Sequence, residues 1–204
     1  MTTVFTIMFN FIYAVVLVGA IIILVRDDRT REKRVAKFDK VSLQQFRKDW
    51  EQIMNMPADC VDGMYITDEI YENIKLPTRA TIGSAGYDFY SPIEFTLMPN
   101  QSITFPTGIC VEIEPNWVLK MYPRSGLGFK TGVRLANTVG VIDGDYVLSD
   151  NEGHIMMKFV NHGAVPLHVE AGDRVAQGIF VPYGITYDDN VTVERNGGFG
   201  SSGR

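Results

Sequence analysis

Seven short apolar runs, at residues 96–98, 103–105, 109–113, 118–121, 155–160, 167–169 and 175–181, constrain this chain more than any other feature. They are rich in Val, Ile and Phe. Pro99-Asn100, Pro106, Pro115-Asn116, Gly163 and Ala171-Gly172 separate them, and such residues end strands and make turns. No segment of helical period alternates with them, which argues against a parallel sheet built from βαβ units. The pattern predicts an all-β fold, a barrel or jelly roll, over residues 75–190. A chain of 204 residues has room for one such domain and some additional segments, and nothing in it repeats.

The additional segments lie mostly before the β region. Residues 4–25 carry no charge and are interrupted only by Thr6, Asn10 and Gly19. As a helix they would reach about 33 Å, enough for a hydrocarbon core of about 30 Å. A secretory signal would want a basic start, a shorter apolar core and a small-residue cleavage site. Here no Lys or Arg precedes the run, and Arg26-Asp-Asp-Arg-Thr-Arg-Glu-Lys-Arg34 follows it. The reading is a transmembrane anchor over residues 1–25, with the chain after it in the cytoplasm. Residues 26–37 read as a charged linker. Within 38–74, Ser42-Leu-Gln-Gln45 predicts a capping box in which Gln45 reaches back to the Ser42 N–H. Leu43, Phe46, Trp50 and Ile53 then recur at helical spacing until Pro57. One short amphipathic helix is expected, its stripe packed on the β domain. Residues 191–204, rich in Gly and Ser, read as a flexible C-terminal arm.

Charge narrows the partners. Of 19 Lys/Arg and 24 Asp/Glu, the first 37 residues hold six and three, which leaves 13 against 21, a net −8, for residues 38–204. A domain that acidic is a poor match for a nucleic-acid backbone, so no nucleic-acid partner is expected. It can still take a triphosphate if a few cations and a metal are placed locally. Cys60 and Cys110 show no CxxC spacing and read as reduced thiols.

The chemistry concentrates in residues 122–146, YPRSGLGFKTGVRLANTVGVIDGDY. Pro123-Arg124-Ser125-Gly126 is a turn that can present a cation, a hydroxyl and backbone N–H groups together. Residues 131–141 have the β-branched and glycine content of a tight hairpin. Two carboxylates, Asp143 and Asp145, and the Tyr146 ring follow directly after the apolar run 139–142. An anion-binding turn, a hairpin pocket and a carboxylate at a strand end suit cleavage of a nucleotide phosphate. A polar turn with a surface Asp pair is the plainer reading of the same residues.

Five segments in order resolve that choice. PRSGLG and NTVGVIDGDY resemble the second and third motifs of the homotrimeric dUTPases, the dUTP nucleotidohydrolases. GSAGYDFYS at residues 83–91, GDRVAQ at 172–177 and RNGGFGSSG at 195–203 are similar to the first, fourth and fifth. The resemblance implies a jelly-roll-like β barrel of the dUTPase type and hydrolysis of dUTP to dUMP and pyrophosphate, which limits uracil in DNA. It implies Asp143 as the water-activating carboxylate, with Ser125, Gly126 and Arg124 on the phosphates. Asp88 and Gln177 would hold the waters of a Mg2+ ion. Asn137 would face the base and Tyr146 the deoxyribose. Arg195, Phe199, Gly200, Ser201 and Ser202 would close over base and γ-phosphate, and a homotrimer would share its sites between chains.

The chain departs from the family pattern in two places. Only Asn196 separates Arg195 from the Gly-Gly pair, where many members have two residues. Residues 145–153 are longer than the usual turn after the third motif and read as a surface loop. A dCTP deaminase of the same fold would need a Glu near the base, and residues 134–143 contain none. A non-catalytic dUTP-binding relative is the third reading, and retention of Asp88, Ser125, Asp143, Tyr146 and Gln177 together argues against it.

Overall fold

Strand formation begins earlier than the apolar runs imply. The computed structural model describes residues 33–55, 66–193 and 195, and from Val35 onward these belong to one unit. Its first strand, β1 (Ala36–Lys40), starts inside the segment read as linker and runs antiparallel to β6 (Ile109–Ile113), Ala36 opposite Ile113 and Lys40 opposite Ile109. The charges conceal the strand because they alternate with one anchor. Phe38 packs its ring 5.4 to 5.6 Å from Tyr87, Phe89 and Phe180, while Lys37 and Asp39 pair outside.

The remaining strands are β2 (Thr78–Arg79), β3 (Tyr87–Tyr90), β4 (Phe95–Leu97), β5 (Ser102–Pro106), β7 (Trp117–Pro123), β8 (Val133–Leu135), β9 (Gly140–Ile142), β10 (Met156–Asn161), β11 (Leu167–Val169) and β12 (Arg174–Pro182). They form a five-stranded sheet in the order β2-β3-β12-β7-β9, a three-stranded sheet β5-β10-β8, and the pairs β1-β6 and β11-β4. Every one of the seven apolar runs is a strand, and the architecture is mostly β with few helices. Phe89, Phe105, Phe159, Leu119, Ile155 and Val175 are fully buried between the sheets. Asn161, equally buried, is satisfied by the carbonyls of Leu97 and Val165, each at 2.9 Å, and by the Gly163 N–H at 2.9 Å.

The expected hairpin at 131–141 takes another form. Its arms pair with different neighbours, β8 with β10 and β9 with β7. The turn between them therefore bridges two sheets. Gly132 ends a helix at φ +72°, where a Cβ would meet the Gly163 backbone at 2.8 Å.

Three helices occur among the described residues where one was expected. α1 (Leu43–Met54) is the amphipathic one, with Phe46 and Trp50 buried, and Ser42 caps it by accepting the Gln45 N–H at 3.1 Å. The reciprocal half of the box differs: the Gln45 amide turns to Asp49 at 2.8 Å, and the Ser42 N–H goes to Glu152 at 2.6 Å. α2 (Ile66–Asn73) is tied to α1 by Arg47, which forks onto Asp68 at 2.8 and 2.5 Å. α3 (Ser125–Thr131) follows β7 directly. No helix among the described residues is long and apolar enough to cross a membrane. The anchor read at residues 4–25, Cys60 and the arm residues 199–202 lie outside the described residues.

Candidate active site

The site residues fall into two groups. The first sits on long paired strands. β12 lies between β3 and β7, so Gln177 is opposite Asp88 on one side and Tyr122 on the other. Asp88 is buried at β3, and its carboxylate takes Arg124 Nη1 on one oxygen and Arg174 Nη1, at 3.3 Å, on the other. Arg124 is the extended residue that precedes α3, which leaves Ser125 and Gly126 exposed in the first helical turn. Their N–H groups have no acceptor inside the helix and are free for an anion. Gly86 packs beside this group, where a Cβ would come within 2.8 Å of Gln177 Oε1 and push that side chain aside.

The second group sits on turns. Asn137 and Thr138, the latter at φ +63°, make the bridge from β8 to β9. Gly140 packs so closely that a Cβ would lie 3.0 Å from Met121 Cβ and 3.5 Å from the Asn137 amide. A cavity of about 360 Å3 opens here, lined by Asn137, Gly140, Tyr146, Arg195 and an apolar wall that includes Met121, Leu135 and Ile155. Tyr146 begins a 3-10 turn and is buried, its hydroxyl donating to the His154 carbonyl at 3.0 Å. Burial pushes its phenol pKa up, so it stays a donor.

Arg195 completes this group. Its Nη2 donates to Asp143 Oδ2 at 2.6 Å, its Nε lies 3.0 Å from Asp145 Oδ1, and its guanidinium stands 5.5 Å above the Tyr146 ring. Asp145 was left without a role by the sequence, yet it shares this cation with Asp143. Arg174 was likewise overlooked, although it lies inside the fourth motif next to residues that were singled out. Among the described residues no hydrogen bond or ion pair joins the two groups within one chain.

A cation-flanked carboxylate, a paired glutamine, an exposed Ser-Gly turn and a mostly apolar cavity with a carboxylate at its rim form a nucleotide-shaped inventory. The dUTPase family model matches residues 72–203. The chain belongs to the dUTPase family. It is 40% identical over 152 residues to the deoxyuridine 5'-triphosphate nucleotidohydrolases of Mannheimia succiniciproducens and Haemophilus influenzae, covering 71% of this chain and 97% of each relative. Among solved structures it resembles the dUTPase from Streptococcus mutans, with a TM-score of 0.53 and 31% identity over 73% of this chain and 97% of that one. The chain is thus a dUTPase, a hydrolase of nucleotide metabolism that converts dUTP to dUMP.

Proposed function

We propose that hydrolysis proceeds by in-line attack of a water held by Asp143 on the α-phosphorus, with pyrophosphate leaving. The observation that carries this reading is that Asp143 directly follows the cavity-lining Ile142 and pairs at 2.6 Å with Arg195, which lines the same cavity, while its carboxylate stays half-exposed rather than locked into the core. An ionised carboxylate there can orient water and accept its proton. Arg195 must release Asp143 as the triphosphate arrives, and its transfer to the γ-phosphate would couple closure to activation of the base. Gly200, Ser201 and Ser202 would add donors to the same phosphate, with Phe199 over the base.

Arg124, Ser125 and Gly126 then hold the phosphate chain, Arg124 through a planar guanidinium that can fork onto two oxygens. Asn137 and the backbone of the β8–β9 bridge match the uracil edge, and Gly140 leaves no room for a methyl group. Cytosine would leave buried groups unpaired, a costly mismatch. The Tyr146 ring lies against C2′ and rejects a ribose.

No cluster of three or more His, Cys, Asp or Glu that could hold a metal occurs among the described residues. That donor set fits Mg2+ bound chiefly by phosphate and water, with Asp88 and Gln177 hydrogen-bonding those waters. When bound, the ion would neutralise charge on the phosphates.

The separation of the two groups in one chain supports a homotrimer in which each site draws residues from neighbouring copies. Phe129, which is 93% exposed on α3, supports the same assembly, since it is an apolar ring on the phosphate-binding helix. Residues 1–25 anchor the enzyme in a membrane, residues 26–34 link the anchor to the domain, and the domain, with β1 and α1 joined to the jelly-roll-like barrel of 75–190, lies in the cytoplasm. The arm, residues 191–204, closes the site. Pyrophosphate release assayed with dUTP, dCTP, dTTP and UTP should show turnover of dUTP alone at low concentration. Release of ammonia from dCTP would replace this reading with the dCTP deaminase-like alternative. For the anchor, the full chain should resist alkaline carbonate extraction from membranes, and its recovery in the soluble fraction would remove that part of the proposal.

A further inference from the structure

Helix α1 lies outside the family-matched residues 72–203, and hydrolysis of dUTP gives it no task. Yet its polar side chains are buried against the loop that carries Tyr146. Asp49, only 6% exposed, accepts from His154 Nδ1 at 2.6 Å and from Gln45 Nε2 at 2.8 Å. His154 is fully buried, and its Nε2 accepts the Gly108 N–H at 2.7 Å, so the ring hydrogen sits on Nδ1 and points at Asp49. At the start of the helix, Glu152 takes both the Ser42 N–H and the Ser42 hydroxyl, at 2.6 and 2.7 Å.

The two anchors bracket Gly153, and the loop between them has no slack. Glu152 and Gly153 have φ of +57° and +65°, and a Cβ on Gly153 would meet Val147 Cα at 2.6 Å. The His154 carbonyl that receives the Tyr146 hydroxyl also lies 3.4 Å from Asn151 Nδ2, which in turn donates to the Tyr146 oxygen at 3.1 Å. Fixing residues 152 and 154 therefore fixes the phenol. Discrimination between hydrogen and hydroxyl at C2′ depends on a ring that does not retreat, because a small displacement makes room for an oxygen.

Resting on the reading of Tyr146 as the sugar-facing ring, we propose that Asp49 is a positioning residue for ribose rejection. Through His154, and with Glu152 as a second tether, α1 holds the 146–154 loop and with it the Tyr146 ring. The lengthened loop after the third motif and the additional N-terminal helix are then two halves of one device.

The test is kcat and KM for dUTP and UTP with the full-length enzyme and its variants. Asp49→Ala should keep kcat for dUTP within about threefold and narrow the dUTP-over-UTP ratio of kcat/KM by about fivefold or more. Asp49→Asn retains an acceptor for the His154 N–H and should restore most of the ratio. In a Tyr146→Ala background, Asp49→Ala should narrow the ratio no further, since its effect runs through the ring. A purely structural role would lower Tm in both backgrounds and leave the ratio unmoved. An unchanged ratio in folded Asp49→Ala, or equal narrowing with Tyr146 already removed, overturns the proposal. Should Asp49→Ala not fold, Glu152→Ala at the exposed tether decides: a narrowed ratio supports the coupling and an unchanged one overturns it. An unchanged ratio in Tyr146→Ala alone removes the sugar reading and this proposal together, whereas an unchanged ratio in Asp49→Ala alone removes only this one.

Discussion

The group around Asp88 and the group around Asp143 are built by different means. Asp88, Arg124 and Gln177 stand on or beside β3, β7 and β12, three adjacent strands whose ladders run for up to seven paired residues. Their backbone geometry comes from ladder hydrogen bonds that need no particular side chain, and Arg124 and Arg174 then orient the Asp88 carboxylate. Asp143, Tyr146 and Asn137 stand on turns around the three-residue strands β8 and β9, and long-range side-chain contacts hold them. Arg195 reaches Asp143 across 52 residues, and Asp49 reaches His154 across 105. On the proposed reading, the ladder-built group is preset for phosphate, which every nucleoside triphosphate shares. The turn-built group then activates the water and distinguishes base and sugar, and its contacts are the ones a substrate can rearrange.

If that division holds, the largest losses should come from the turn-built group. Asp143→Asn keeps the volume and a partner for Arg195 but loses the proton acceptor. We expect kcat to fall by about 10²–10⁴ with dUTP affinity largely kept, measured by single-turnover hydrolysis and equilibrium binding. Turnover within a few-fold of the parent would move the base elsewhere. Ending the chain after Val193 removes Arg195 and the rest of the arm while leaving every strand intact. The truncated protein should fold with its parent Tm, yet lose about 10²-fold in kcat/KM. A collapse of Tm instead would show that the arm belongs to the fold rather than to catalysis.

Legibility in the sequence follows the same division. The strands could be read because their apolar residues and turn residues are local signals, and Asp88, Ser125, Asp143 and Gln177 lie in contiguous motifs. β1 escaped because three of its five residues are charged and a single ring, Phe38, anchors it. α3 escaped because SGLGFKT contains two glycines and has poor helical propensity. It forms because Arg124 enters it extended, Gly132 closes it in the left-handed region, and Leu127 packs on the core. Asp49 and His154 carry no local signal, since a buried polar pair separated by 105 residues is specified only once the chain has folded. Gln45 misled for a related reason: its capping spacing is right, but the buried Asp49 four residues on offers its amide a drier partner.

Gly140 allows a smaller and more local test of the turn-built group. A Cβ at this position would crowd Met121 at 3.0 Å while meeting the Asn137 amide in ordinary contact at 3.5 Å. Gly140→Ala should therefore shift Met121 in the cavity wall and raise KM for dUTP about tenfold, with kcat nearly unchanged because Asp143 lies beyond the strand end. The corresponding change on the ladder-built side, Gly86→Ala, presses instead on Gln177. It should depress kcat/KM for every nucleotide alike, without altering base preference. Equal loss of base preference in both variants would erase the distinction between the two groups.

The smallest effect should come from the additional helices, away from both groups. The hydrogen bonds from Arg47 hold the Asp68 carboxyl below its ordinary range. A carboxyl whose pKa is lowered by folding contributes stability that is complete above its unfolded pKa and is lost as the pH falls through the folded one. Asp68→Asn should therefore lower Tm at neutral pH, and by only about 2 °C, because the pair is a third exposed and screened by solvent. The difference from the parent should disappear once the pH is well below the ordinary carboxylate range, where Asp68 is protonated in both states. The dUTP-over-UTP ratio should not change, since the tethers to the 146–154 loop run from Asp49 and from Ser42 at the start of α1. A shifted ratio would mean that the tether acts through the whole helical pair, and α1 could then no longer be treated as the sole brace of Tyr146.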